Sequence, residues 1–186
     1  MPKSIGNIIV RGFSGVLDDI VMFRQRAGKT IVCKVPLKST KERSEKMLAV
    51  SARFKSSIEY AKRAIKDKAT KALYQAAAAP DQSAYNIACR DAFISPKVEA
   101  IDASAYHGIV GDTLTIIATD DFKVTDVSVS IHDASGALVE QGIAVVQENG
   151  DWVYHSTQSS ATIAGSKITA VAKDLPGNTG SMEITL

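Results

Sequence analysis

The chain predicts an α+β protein, a hairpin-and-helix part followed by an all-β sandwich, and three observations carry that expectation. In 124–132, Val127, Val129 and Ile131 alternate with Asp126, Ser128, Ser130 and His132. That period of two marks a strand with one buried and one wet face. In 47–65, Met47, Val50, Phe54, Ile58, Ala61 and Ile65 recur every three or four positions, the stripe of an amphipathic helix. The charge is split as well. Residues 1–97 hold 19 Lys and Arg against 8 Asp and Glu, a balance of +11; residues 98–186 hold 3 against 12, a balance of −9. Halves of opposite sign and different periodicity point to two domains, 1–96 and 97–186.

In the first half, Ile8-Ile9-Val10 is a short strand candidate, and Gly6, Gly12 and Gly15 punctuate the segment. Residues 20–26 and 30–35 read as strands joined by Ala27-Gly28-Lys29, a hairpin ended by Pro36. A lone hairpin is marginal in water, so it is expected to pack on the helix that follows. Ser39-Thr40-Lys41-Glu42 fits the capping-box pattern and sets the helix start at Ser39. Unbroken over 40–66, that helix is about 40 Å long. Alanine-rich 69–79 continues or restarts it, with Leu73 and Tyr74 as large anchors. Asp81 is expected to cap a third helix over 82–93, where Ala84, Ile87 and Ala88 lead to Asp91-Ala92 and Phe93. Ser95-Pro96 stops it and marks the domain boundary.

From Lys97 the grammar changes. Strands are expected at 98–101, 112–118, 124–132, 137–146 with an interruption at Gly142, 151–156, 167–173 and 181–186. Turn signals separate them, among them Asp133-Ala134-Ser135-Gly136, Asn149-Gly150 and Pro176-Gly177-Asn178. Leu114, Ile116, Ile168, Ala170, Met182 and Ile184 fall on the inward phase, together with Trp152 and Tyr154. About seven short alternating strands in such a length are the pattern of an immunoglobulin-like sandwich, here without the Cys…Trp…Cys framework of antibody domains.

These residues carry a resemblance. The Gly111-Asp112-Thr113 opening, the Trp152-x-Tyr154 strand and the ending Ala172-Lys173-Asp174-Leu175-Pro176-Gly177-Asn178 resemble bacterial immunoglobulin-like and fibronectin-III-like modules over 97–186. Such modules occur in adhesins, extracellular enzymes and phage particles alike, so the resemblance implies a fold and no single function. The first half is similar to short bacterial proteins that open with a Gly-rich hairpin and a basic helix. With the fused module, that likeness implies at most a structural or phage-derived role.

Several chemistries lack their signatures. His107, His132 and His155 fall in loops or on wet strand faces, and no serine sits in a Gly-x-Ser-x-Gly elbow. An enzyme is therefore not expected, and no cofactor or small-molecule substrate is implied. Gly28-Lys29-Thr30 has the letters of a phosphate loop, but Phe23 stands where its first glycine belongs and a strand follows instead of a helix. Cys33 and Cys89 have no CxxC partner. They read as small apolar residues in packed positions, a disulfide between them being the alternative. No apolar run reaches the roughly 20 residues that span a bilayer. The first such run is cut at Arg11, short of the about 7–15 apolar residues of a secretory signal. The expected location is the cytoplasm or an assembled particle.

Two candidate sites remain. Asp120, Asp121, Asp126, Asp174 and Asn178 are oxygen donors near strand ends, the hard ligands that calcium takes, and equally the residues of solvated turns. Arg43, Lys46, Arg53, Lys55, Lys62, Arg63 and Lys66 make the 43–71 stretch a basic interaction surface. The leading expectation is a non-enzymatic structural or protein-binding protein that assembles through this basic arm, with a protein partner or a second copy whose acidic sandwich offers the complementary charge. The alternative is an accessory protein binding nucleic acid through the same helix. A weaker alternative is a carbohydrate-binding module with Trp152 and Tyr154 as platforms.

Overall fold

A computed structural model describes residues 3–4, 10, 12–26, 28–37, 40, 42–160 and 162–186. Its N-terminal part is a four-stranded antiparallel sheet of β1 (Lys3–Ser4), β2 (Gly15–Leu17), β3 (Val21–Arg26) and β4 (Lys29–Lys34), in the order β1-β4-β3-β2. Arg26 pairs with Lys29, so the expected hairpin closes through two residues, and Gly28 takes the positive φ that such a turn needs. The Gly28-Lys29-Thr30 run is thus the end of a hairpin turn and the start of β4. Most of the strand expected at 8–10 lies outside the described residues. Thr30 is buried, and its hydroxyl accepts from the Gln25 amide at 2.9 Å and from the Gly12 N–H at 3.1 Å. The hairpin was expected to lie on the first helix. Instead it gains β1 and β2 as neighbours, and Phe13, Val16, Leu17, Ile20 and Leu37 are half or more exposed.

Three helices follow: α1 (Glu45–Ala64), α2 (Lys68–Ala76) and α3 (Ala84–Phe93). The capping box at 39–42 does not open the first one; Ser39 lies outside the described residues, and 42–44 are not helical. Ser44 is the N-cap, its hydroxyl accepting from the Met47 N–H, so α1 is about 30 Å long instead of about 40. Asp67 starts α2 as a separate helix by accepting from the Thr70 N–H at 2.8 Å. Ser83, not Asp81, caps α3. Asp81 lies in the preceding turn and pairs with Arg26 at 3.6 Å. Alanines at 61, 64, 84 and 88, with Ile87 and Tyr74, form the core among the helices; their short side chains let α1 and α3 approach closely.

The last 90 residues form two antiparallel sheets. One has the order β5 (Lys97–Asp102), β6 (Thr113–Thr119), β10 (Trp152–His155), β9 (Val145–Val146). The other has the order β12 (Thr179–Thr185), β11 (Lys167–Asp174), β7 (Val124–His132), β8 (Leu138–Ile143). Leu114, Ile116, Trp152 and Tyr154 from the first sheet meet Val127, Val129, Ile131, Ile168, Ala170 and Ala172 from the second in one core. The period of two in 124–132 lies on β7 as expected. The fourth expected strand is broken at Ala144 instead of Gly142. There the chain leaves β8 for the opposite sheet as β9. Gly142 stays in β8 opposite Val129, where a Cβ would come within 2.6 Å of the Tyr154 ring. The ring's place in the core is what excludes a side chain here.

Trp152 and Tyr154 are both buried. They are core residues, which removes the carbohydrate-platform reading. The core also holds a carboxylate. Glu140 accepts from the Tyr154 and Ser156 hydroxyls at 3.1 and 2.7 Å, the Thr157 N–H and hydroxyl at 2.8 and 2.9 Å, and the Gln158 N–H at 3.2 Å. Burial pushes its pKa up, yet these donors outweigh it and hold the carboxyl below its ordinary range. Cys33 and Cys89 are free thiols, half-buried.

Candidate functional site

Two places stand out, the free half of α1 and the seam between helices and sandwich. The stripe on α1 changes character along its length. From Ser57 on it is covered, with Ser57, Ala61 and Ala64 buried. Before that, every residue of 45–56 is exposed, and Met47, Val50 and Phe54 stand 50–56% open. The reason is length. The 10-residue α3 spans about half of the 20-residue α1, and its last residue, Phe93, meets Phe54 edge-on at 6.0 Å. Beyond Phe54, among the described residues, the apolar stripe has no helix beneath it. At that edge Phe54, Ile58, Tyr85, Cys89 and Phe93 line an open groove of about 370 Å³.

The basic residues of 43–71 do not share one face. At 3.6 residues per turn, Lys46 and Arg53 flank one side of the stripe, and Lys55 and Lys62 flank the other. Arg53 stacks over the Phe93 ring at 4.4 Å, and Lys62 pairs with Glu59 at 3.2 Å. Arg63 and Lys66 are exposed near the C-terminal end, and Arg43 precedes the cap. The surface is therefore an apolar strip with cationic borders.

The seam is built from acidic side chains. Asp91 of α3, Asp120 just after β6 and Asp174 at the end of β11 place carboxylate oxygens within 4.8 Å of one another. Asp91 and Asp174 are fully buried. Asp174 closes a turn, accepting from the Gly177 and Asn178 N–H groups at 2.8 and 2.6 Å and from the Asn178 amide at 2.7 Å. That amide also reaches back to the carbonyls of Asp91 and Ala92, tying the turn to α3. Asp120 Oδ2 accepts from the Phe122 and Lys123 N–H groups at 3.1 and 2.9 Å. Asp91 Oδ2 accepts from the Tyr74 hydroxyl at 2.5 Å, which in turn lies 3.0 Å from the Tyr60 hydroxyl. Burial, with the nearby carboxylates, pushes Asp91 up to about 7 and raises Asp174. Burial and the bond to Asp91 raise Tyr74.

Of the five oxygen donors read from the sequence, the fold brings three together, Asp120, Asp174 and Asn178. Asp121 is turned to Arg90, with which it forms an ion pair. Asp126 is exposed on β7, opposite Lys173. Asp91 was missed as a ligand-bearing residue. Its signal was present, because Ala84, Ile87, Ala88 and Asp91 share one helical phase, which puts a carboxylate on the buried stripe of α3. Glu140 was missed too; it lies opposite Ile131 on the core side of β8. The three histidines are not gathered with either site; His107 and His155 are exposed and His132 is half-buried.

No family model and no curated sequence matches the chain. Among the solved structures similar to part of it are the following two. One is a tetra-tandem repeat from the extending region of a large adhesion protein, matched over 48% of this chain and 22% of that one, at 22% identity and a TM-score of 0.33. This chain thus spans about a fifth of that one. The other is a conjugative transposon lipoprotein from Bacteroides eggerthii, matched over 49% of this chain and 93% of that one, at 14% identity and a TM-score of 0.24. Scores this low carry no functional argument. Among the described residues, no helix is long and apolar enough to cross a membrane.

Proposed function

We propose that the protein is a non-enzymatic structural module that assembles with copies of itself through its basic N-terminal arm, residues 1–96, against the acidic sandwich, residues 97–186. One observation carries this reading: the apolar stripe of α1 outruns α3 and stays open over Met47, Val50 and Phe54. The N-terminal sheet adds exposed Phe13, Val16, Leu17 and Ile20 to the same half of the chain. An open apolar strip such as that of α1 marks an interaction site. The occupant is a second copy because the chain carries its own complement, +11 before residue 98 and −9 after it. A heterologous contact of this type builds rings or filaments. The sandwich is read as immunoglobulin-like because β5-β6-β10-β9 facing β12-β11-β7-β8 follows the strand order of that fold with one strand added to the second sheet.

Nucleic-acid binding through the same helix is less favoured, since the cations border an apolar strip instead of forming one track for phosphates. Size-exclusion chromatography with light scattering, at low and high salt and with absorbance read at two wavelengths, separates the readings. Self-assembly predicts a multimer free of nucleic acid, and a monomer for the triple variant Met47→Glu, Val50→Glu, Phe54→Glu. A wild-type monomer at both salts sinks the reading. Nucleic acid that co-elutes at low salt and is shed at high salt transfers the helix to the alternative.

A further inference from the structure

We propose that Asp91, Asp120 and Asp174 hold one hard divalent cation, of the calcium, magnesium or manganese class, which clamps α3 to the sandwich. The donors already present at the seam satisfy only some of its oxygens. Asp174 takes three N–H donors, Asp120 Oδ2 takes two, and Asp91 Oδ2 takes the Tyr74 hydroxyl. Asp91 Oδ1 and Asp120 Oδ1 are buried and have no hydrogen-bond partner among the described residues. Leaving a buried charged acceptor unsatisfied is expensive, and here two stand in one cluster. The guanidinium of Arg90, the residue before Asp91, pairs with Asp121 instead.

A divalent cation removes both deficits at once. It offsets the mutual repulsion of three carboxylates and gives each orphan oxygen a ligand bond. The donor set is oxygen only, which selects hard cations over zinc or copper. The three ligands come from α3, the β6–β7 loop and the end of β11. A cation there joins segments far apart in sequence, and its binding energy becomes energy of docking between helices and sandwich. The backbone is already drawn tight at this seam: a Cβ on Gly180 of β12 would lie 1.9 Å from the Pro96 carbonyl.

The test is a melting series on chelator-treated full-length protein in calcium, magnesium, manganese or chelator alone, with terbium luminescence as a direct readout. Terbium replaces calcium in oxygen sites and is sensitised by a nearby tyrosine, here Tyr74. Expected are one terbium per chain and a Tm raised by about 5–10 °C at a cation concentration about 100 times Kd. Asp120→Asn should lose the luminescence and the shift, because its Asx-turn acceptor survives while one ligand charge goes. Asp121→Asn, outside the cluster, should keep both. Identical melting in every cation and in chelator, with no sensitised terbium emission, overturns the proposal and leaves a proton shared between Asp91 and Asp120 as the group that relieves the orphan oxygens. Emission that persists in Asp120→Asn overturns it equally, by placing the ion elsewhere.

Discussion

The sandwich and the N-terminal arm have comparable supplies of apolar residues but divide them differently between core and surface. In the sandwich, strands of period two close over each other, and Leu114, Ile116, Val127, Val129, Ile131 and Ile168 are wholly buried. In the arm, the same kind of patterning ends in open surface: Val16 and Leu17 on β2, and Met47, Val50 and Phe54 on α1, are half exposed or more. Amphipathic periodicity states which face of an element needs cover. It does not state whether the cover lies in the same chain. The sandwich finds it within its own 90 residues, because the chain steps between the two sheets three times, after β6, β8 and β10. Outside its helical core the arm does not find it among the described residues, because α3 is half the length of α1 and no described helix lies across the sheet.

That contrast can be broken at three points. The largest effect is expected inside the sandwich. Ile131→Ala removes three carbons from a fully buried site and should cost about 2–5 kcal/mol, read as a lower urea midpoint at unchanged slope. A cost as small as that of a surface change would mean that the sandwich core is no better packed than the arm.

A medium effect is expected at Glu140. Its folded pKa lies below its unfolded value, so its contribution is complete above the unfolded pKa of about 4.3 and is lost as pH falls through the folded one. Stability should therefore drop on acidification below about pH 5, and Glu140→Gln should flatten that part of the profile. At neutral pH the substitution should cost about 1 kcal/mol, the difference between charge-assisted and neutral hydrogen bonds. An unchanged acid profile in Glu140→Gln would assign the acid sensitivity to other groups. The smallest effect is expected on the arm. Val50→Ala should change the stability of the isolated chain by less than about 0.5 kcal/mol. A larger loss at concentrations where the protein is associated, absent on dilution, would locate the missing cover in a second copy.

Much of this architecture was legible in local sequence. Six of the seven expected sandwich strands appear near where alternation and turn residues placed them, and the fourth, 137–146, is two strands, β8 and β9; strand phase and turn chemistry are properties of a few consecutive side chains. Helix starts were less legible. Ser39, Ser44, Asp81 and Ser83 are all competent caps, and the choice of Ser44 and Ser83 was not fixed by which residues can cap. The seam was the least legible part. Asp120 and Asp174 were readable as turn carboxylates, and Asp91 as an acid on an apolar helical stripe, but nothing local says that the three meet.

By itself, then, the sequence determined the change from helical to strand grammar near Pro96, the inward faces of the strands, and the separation of basic from acidic charge. These follow from composition and from periods of 2 and 3.6, which need no knowledge of distant residues. Only the tertiary structure decided that β8 and β9 belong to opposite sheets and that residues 91, 120 and 174 converge. The convergence depends on how α3 docks on the end of the sandwich. The contacts that dock it, Asn178 on the carbonyls of Asp91 and Ala92, and Gly180 against Pro96, join positions more than 80 residues apart. No window along the chain contains both partners.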